Sequence, residues 1–140
     1  MDKDKIKKKI YDYLISLDEI SFAYLFGSFV EKEKYRDIDI AVYLKDDFNY
    51  KDFTKYPFGY QSAILGKLSL ELKTDKIDLV ILNEADILLF QKIITSGELL
   101  FERDKSLRVY VTNSIRKEYI DTIPYRNLKF KTIKKKLNAR

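Results

Sequence analysis

The 140-residue chain contains no cysteine and no histidine. Without cysteine, neither a disulfide framework nor a thiolate metal site is possible. Without histidine there is no Ser-His-Asp triad and no zinc hydrolase built on imidazole ligands. Acid–base and metal chemistry is left to Asp, Glu, Lys and Tyr, and oxygen ligands favour Mg²⁺, Mn²⁺ or Ca²⁺. No apolar run approaches the length of a membrane span. The opening MDKDKIKKKIYDYLISL alternates charge with apolar residues and shows no h-region or cleavage site. A cytoplasmic location without membrane contact is therefore expected. Glutamine occurs only at Gln61 and Gln91, among abundant Lys, Ile and Glu; this leans towards a thermophile, although an AT-rich genome biases composition in the same direction.

What is present fits a folded domain. Hydrophobic residues make up 46% and charged residues 35%, which argues against disorder. A chain of this length buries roughly two-thirds of its unfolded surface, so a single domain over 1–140 is expected. Charge is uneven: residues 1–100 carry 15 Lys/Arg against 18 Asp/Glu, and residues 101–140 carry 12 against 4. The division that follows is a core over about 1–102 and a basic helical extension over 103–140. The lysines of KIKKKIYDY and FKTIKKKLNAR are read first as solvated helix faces, with weak RNA contact or an acidic partner as the alternative for the tail.

Ile6, Ile10, Tyr13, Leu14 and Leu17 recur at helical spacing, which predicts a helix over 3–17 with Asp2 or Asp4 at its start. SFAYLFG, DIDIAVYL and KIDLVIL (76–82) read as strands, with a helix over about 59–72 between the last two. EADILLFQKIITSG reads as a helix capped by Gly97, with Leu88, Leu89, Ile93 and Ile94 on the sheet, and ELLFE as a short edge strand. A helix from Asp104 carries Leu107, Val111, Ile115 and Tyr119, and Pro124 is expected to interrupt it. Tyr11, Tyr13, Tyr43 and Tyr60 fit core or half-buried positions. Tyr50, Phe53, Tyr56 and Phe58 lie in an aromatic-rich loop, expected either near a ligand or partner surface or simply packed. This order of elements gives an α/β or α+β fold with one central sheet.

The chemistry gathers in AYLFGSFVEKEKYRDIDIAVYL (23–44). Asp37 and Asp39 are two apart, so on a strand both carboxylates face one side while Ile38 and Ile40 face the core. Like charges this close repel by about 1 kcal/mol in water and about 4 at a protein-like dielectric, and a hard cation would relieve that repulsion. Asp78 opens another strand-like run and completes a three-carboxylate set if the two strands are neighbours. Gly27 permits a tight turn and close backbone approach, and Ser28 offers a hydroxyl and backbone N–H groups to phosphate oxygens. A lone D-x-D is common, and a lone Gly-Ser is most often a turn. The specific signal is the ordered set: strand, Gly-Ser, short connection, Asp-x-Asp, then a third Asp.

LFGSF, RDIDIAVYL and KIDLVILNEADILLFQKIITSGELLFERD resemble the minimal nucleotidyltransferases of the DNA polymerase β superfold, and within it the MNT-type antitoxins paired with HEPN toxins. The resemblance implies a nucleotidyltransferase fold, a central mixed sheet flanked by helices with a basic helical C-terminal tail. It implies that Gly27 and Ser28 bind the triphosphate of an NTP, that Asp37 and Asp39 hold two Mg²⁺ ions, and that Asp78 shares one ion and acts on the attacking hydroxyl. It further implies AMP transfer from ATP to a tyrosine of a partner HEPN toxin, which is thereby neutralised. Two rivals stay open: an antitoxin that works by binding alone, and a transferase for a small acceptor. The sequence departs from the family pattern in FVEKEKYR. These eight residues lack the glycine usual in a connection of about ten, and Arg36 stands where Ser is common, either as a phosphate contact or as a surface turn residue.

Overall fold

Asp2 accepts a hydrogen bond from the Lys5 backbone N–H at 2.8 Å and so starts α1 (Lys3–Ile15), whose buried stripe is Ile6, Ile10 and Leu14. The computed structural model describes residues 1–138. After α1 come β1 (Ile20–Phe26), the four-residue α2 (Ser28–Glu31), β2 (Ile38–Leu44), α3 (Tyr60–Leu72) and β3 (Ile77–Ile81). A 3₁₀ turn (Leu82–Glu84), α4 (Ile87–Ser96), β4 (Glu98–Glu102) and α5 (Lys105–Asn138) complete the order. The last two residues of the extension expected over 103–140 lie outside the described residues.

The strands form one sheet in the order β3-β2-β1-β4. β1 pairs antiparallel with β2 and with β4, whereas β2 and β3 run parallel, joined by the crossover through α3. A central mixed sheet flanked by helices is the architecture that the resemblance implies. A bulge between Ile20 and Phe22 resets the alternation of β1. From there on Ala23 and Leu25 face one layer, Phe22 and Tyr24 the other.

The first layer is closed. α1 and α3 cover Leu25, Ile38, Ile40, Val42, Leu44 and Leu79. The second layer is smaller: Phe90, Ile93 and Ile94 of α4, with Val111 and Ile115 of α5, cover Phe22, Tyr24 and Ala41. Arg103 ties the layers to the chain start, its guanidinium donating to the carbonyls of Ile20, Ile15 and Leu17 at 2.6, 2.7 and 3.0 Å.

Several local expectations are revised. Leu88 is half exposed, because the i, i+3, i+4 face of α4 that meets the sheet runs through Phe90, Ile93 and Ile94. Tyr11 is exposed rather than in the core, its ring edge on Phe101. Gly97 caps α4 in an extended conformation, φ −81°. Glycine fits there because a Cβ would press on the carbonyl oxygens of Ile93 and Leu25. Pro124 does not interrupt α5, which continues through it. Proline removes the N–H that would otherwise bond the Ile120 carbonyl, while the neighbouring Tyr119 carbonyl takes added side-chain donors. The Thr122 hydroxyl donates to the Tyr119 carbonyl at 2.9 Å, and the Arg126 guanidinium donates to Thr122 Oγ1 at 2.8 Å while lying over the Tyr119 ring.

Candidate active site

Strand register builds the site. The parallel pairing of β2 and β3 sets Asp39 directly opposite Asp78, and the antiparallel pairing of β1 and β2 sets Phe26 opposite Asp39. The chain therefore leaves β1 at Gly27 right beside the Asp39 carboxylate. Asp37 stands one residue before β2, and Ile38 and Ile40 are buried on the opposite face. Asp37 and Asp78 are exposed; Asp39 is half-buried. Asp78 Oδ1 accepts from the Leu79 backbone N–H at 2.9 Å.

Burial pushes the Asp39 carboxyl above the ordinary aspartate range, the charges of Asp78 and then Asp37 push it further the same way, and Lys92 pulls against them. Among the described residues no three acidic side chains converge closely enough, as they lie, to hold an ion. Register, rather than side-chain convergence, brings the three together. The donor set still fits a hard divalent cation: it is all oxygen, and its central member, pushed up by burial and by two like charges, would be relieved by an added cation.

Gly27 has φ +74° and ψ −155°, a conformation that L side chains rarely adopt. A Cβ here would also collide with Asp39 Oδ2 and stand 3.2 Å from its Cγ. The position thus demands glycine twice, once for the backbone and once for the carboxylate that occupies the space. The Gly27 carbonyl then accepts from the N–H groups of Val30 and Glu31, both at 3.1 Å, opening α2. Ser28 Oγ accepts from the Arg36 N–H at 3.2 Å and donates to the Asp37 carbonyl at 3.3 Å, so the hydroxyl closes the connection on itself. Arg36 enters this arrangement through its backbone.

A residue outside the sequence expectations steadies the connection. The Lys3 ammonium donates to the carbonyls of Phe29, at 2.8 Å, and Lys32, at the C-terminal end of α2. It also lies 5.3 and 5.5 Å from the ring centroids of Phe29 and Tyr35, which meet edge to face. No local pattern marks Lys3 among the lysines of α1, because its partners are 26 and 29 residues away. Lys92 was likewise passed over, although it is the only charged residue in the α4 run ILLFQKIITS.

The aromatic loop lies elsewhere. It leaves the C-terminal end of β2, so its start is at least about 13 Å along the strand from Asp39. Tyr50 and Tyr56 pack partly on the closed layer, while Phe53 and Phe58 are exposed. A cavity of about 610 Å³ at this end is lined by Tyr43, Phe48, Tyr50, Phe90 and Tyr110 and contains none of the three aspartates. No described helix is long and apolar enough to cross a membrane.

A model of the family described as "Polymerase beta, Nucleotidyltransferase" matches residues 8–106. None of the curated proteins matches the chain. Among solved structures, a chain from the complex of tri-AMPylated Shewanella oneidensis HEPN toxin with MNT antitoxin superposes with a TM-score of 0.73 at 23% identity, covering 94% of this chain and 98% of that one. A chain of a toxin–antitoxin complex with AMP-PNP gives 0.73 at 23% identity over 91% and 97%. A chain of the MntA-HepT complex gives 0.70 at 23% identity over 93% and 97%. At such identities the likeness is one of fold.

Proposed function

The chain belongs to the polymerase β nucleotidyltransferase family, and we propose that it transfers AMP from ATP to a tyrosine hydroxyl of a HEPN-type partner, acting as the antitoxin of that pair. The observation that carries the reading is the in-register pairing of Asp39 with Asp78, with Asp37 on the same face and the left-handed Gly27 against the Asp39 carboxylate. The choice of partner rests on the likeness to the toxin–antitoxin chains.

In this mechanism Gly27 and Ser28 bind the triphosphate at the turn out of β1. Asp37 and Asp39 would hold two magnesium ions, with Asp78 as a further ligand, and the metal would supply charge neutralisation at the transferring phosphate. The acceptor oxygen attacks the α-phosphorus, the new O–P bond forms as the bond to the β-phosphate oxygen breaks, and pyrophosphate leaves. The hydroxyl proton passes to Asp78. The Leu79 N–H fixes Asp78 Oδ1, which leaves Oδ2 to receive that proton. Displacement of this kind depends on positioning and charge stabilisation, so the missing imidazole is no obstacle.

One observation favours a second reading. Ser28 Oγ is engaged by Arg36 and Asp37 within the short connection, which suits a protein that neutralises its partner by binding alone. Label transfer separates the two. The protein is incubated with Mg²⁺, each α-labelled NTP in turn, and the co-expressed HEPN partner, beside an Asp37→Ala/Asp39→Ala control. Label on the partner from ATP, absent in the control, is the expected result. Tight binding with no label from any NTP would replace transfer with masking.

A further inference from the structure

The body of the protein ends well before α5 does. Val111 and Ile115 of α5 pack under the sheet, and beyond Ile115 every side-chain hydrogen bond formed among the described residues stays within the helix. Residues 116–138 extend roughly 34 Å as a helix that contributes to neither core cluster among the described residues. A helix draws most of its stability from packing of its apolar face, which this segment does not find among the described residues, and Pro124 weakens it further. Most of its exposed apolar residues share one side, with Tyr125 and Leu128 standing opposite. Ile123, Phe130 and Leu137 recur every seventh residue with Ile133 beside them, and their exposures are 36, 68, 64 and 49%. A narrow seam of this period is what a helix presents to another helix.

Charge chooses the occupant. Residues 116–138 carry eight Lys/Arg against Glu118 and Asp121, a net of six positive charges, and no acidic residue follows Asp121. A second copy of this helix laid along the seam would set six positive charges against six. A bilayer is no better match, because Arg126 and Lys134 fall on the seam side and leave too narrow an apolar face for interfacial burial. RNA would use the lysines and leave the seam uncovered.

We infer that residues 116–138 of α5 form a docking arm for a helical protein partner whose apolar groove is rimmed by acidic residues. The arm holds the acceptor protein at a surface separate from the carboxylates, so the inference deepens the protein-acceptor reading above and rests on it for the arm's role in transfer. Binding by the arm requires neither metal nor nucleotide.

The test adds to the full chain a labelled synthetic helix of about four heptads, with Leu and Ile at the seam positions and Glu flanking them. The same helix flanked by Lys, and vesicles of phosphatidylglycerol and phosphatidylcholine, are the comparison arms. The acidic helix is expected to bind, with affinity falling at least about tenfold in Phe130→Asp/Ile133→Asp and falling again at high salt. Both substitutions lie outside the packed body, and an unchanged melting curve establishes that the fold is intact. Equal binding of the two helices, capture by vesicles but not by the acidic helix, or dimerisation of the chain alone through these residues would overturn the inference. Mg·ATP binding, measured in parallel, keeps the two readings apart. A chain that takes the helix but no nucleotide retains the arm and loses the transferase; nucleotide binding without helix binding does the reverse.

Discussion

The two faces of the sheet use the same strands for opposite purposes. Beneath α1 and α3, Leu25, Ile40, Val42 and Leu79 are fully buried. Phe48, Tyr56 and Tyr60 close the end of that layer with edge-to-face contacts, and Tyr60 donates its hydroxyl proton to Glu19 at 2.8 Å. On the other face α4 and α5 cover only the middle, leaving Asp39 and Asp78 at the rim. A single residue step separates the two, since Asp39 lies between Ile38 and Ile40. Alternation along a strand lets one segment serve the core and carry the proposed site together, so stability and activity should respond to different substitutions only one position apart.

The strongest challenge to that separation is Asp39→Asn. It removes a charge that both neighbouring carboxylates disfavour while keeping the shape. Transfer is expected to fall about a thousandfold or more, as for loss of a principal electrostatic group, while the melting temperature holds or rises. A large drop in melting temperature would show that the rim carries stability after all. One step along, Ile40→Ala should do the opposite, costing about 2–5 kcal/mol of stability by cavity formation. The folded fraction should keep its KM for ATP, as measured below the new melting point.

Gly27→Ala tests the point where the two purposes meet. A left-handed backbone and a collision with the Asp39 carboxylate together should cost about 1–3 kcal/mol and also displace the site. Denaturant unfolding and nucleotide binding are both expected to fail in part. Lys3→Met is smaller still. It releases the carbonyls of Phe29 and Lys32, so amide exchange should quicken across 29–32 and KM for ATP should rise a few-fold with little change in kcat. Lys3→Arg should recover part of the loss, because a cation can again reach those carbonyls.

Which parts were legible follows from the range of the interactions. α1, α3 and α4 announce themselves by period and by capping residues such as Asp2, and the residue types at 27, 28, 37, 39 and 78 already point to a carboxylate site beside a turn. The register that makes Asp39 and Asp78 partners is set by β2 and β3 pairing across an intervening helix, and no local pattern contains it. Lys3 and Lys92 were missed for the same reason: one works through distant carbonyls, the other through space. Pro124 is misleading because local chemistry disfavours it within a helix, yet α5 runs on through it at the loss of one backbone donor. ITSGELLFERD, part of the third segment that carries the resemblance, also holds the fold together: Gly97 allows close approach to β1, and Arg103 clasps the end of α1.

The mildest effect is in pH dependence, and its sign is specific. Asp39 has a raised pKa in the fold, so between the ordinary aspartate value and the raised one the folded chain binds more protons than the unfolded chain. In metal-free solution, stability must therefore fall as pH rises through that window, because the slope follows the protons bound by the unfolded state minus those bound by the folded state. Asp39→Asn should flatten this slope. Mg²⁺ competes with the proton for the same carboxylate and binds its ionised form, so adding the ion should reverse the slope over the same window. Nucleotide transfer should rise with pH there for the same reason. Thermal melts across the acidic range, with and without Mg²⁺, read all of this from one sample; a slope that Mg²⁺ leaves untouched would mean that Asp39 meets no metal and that the rim of the open face is only a cluster of charges.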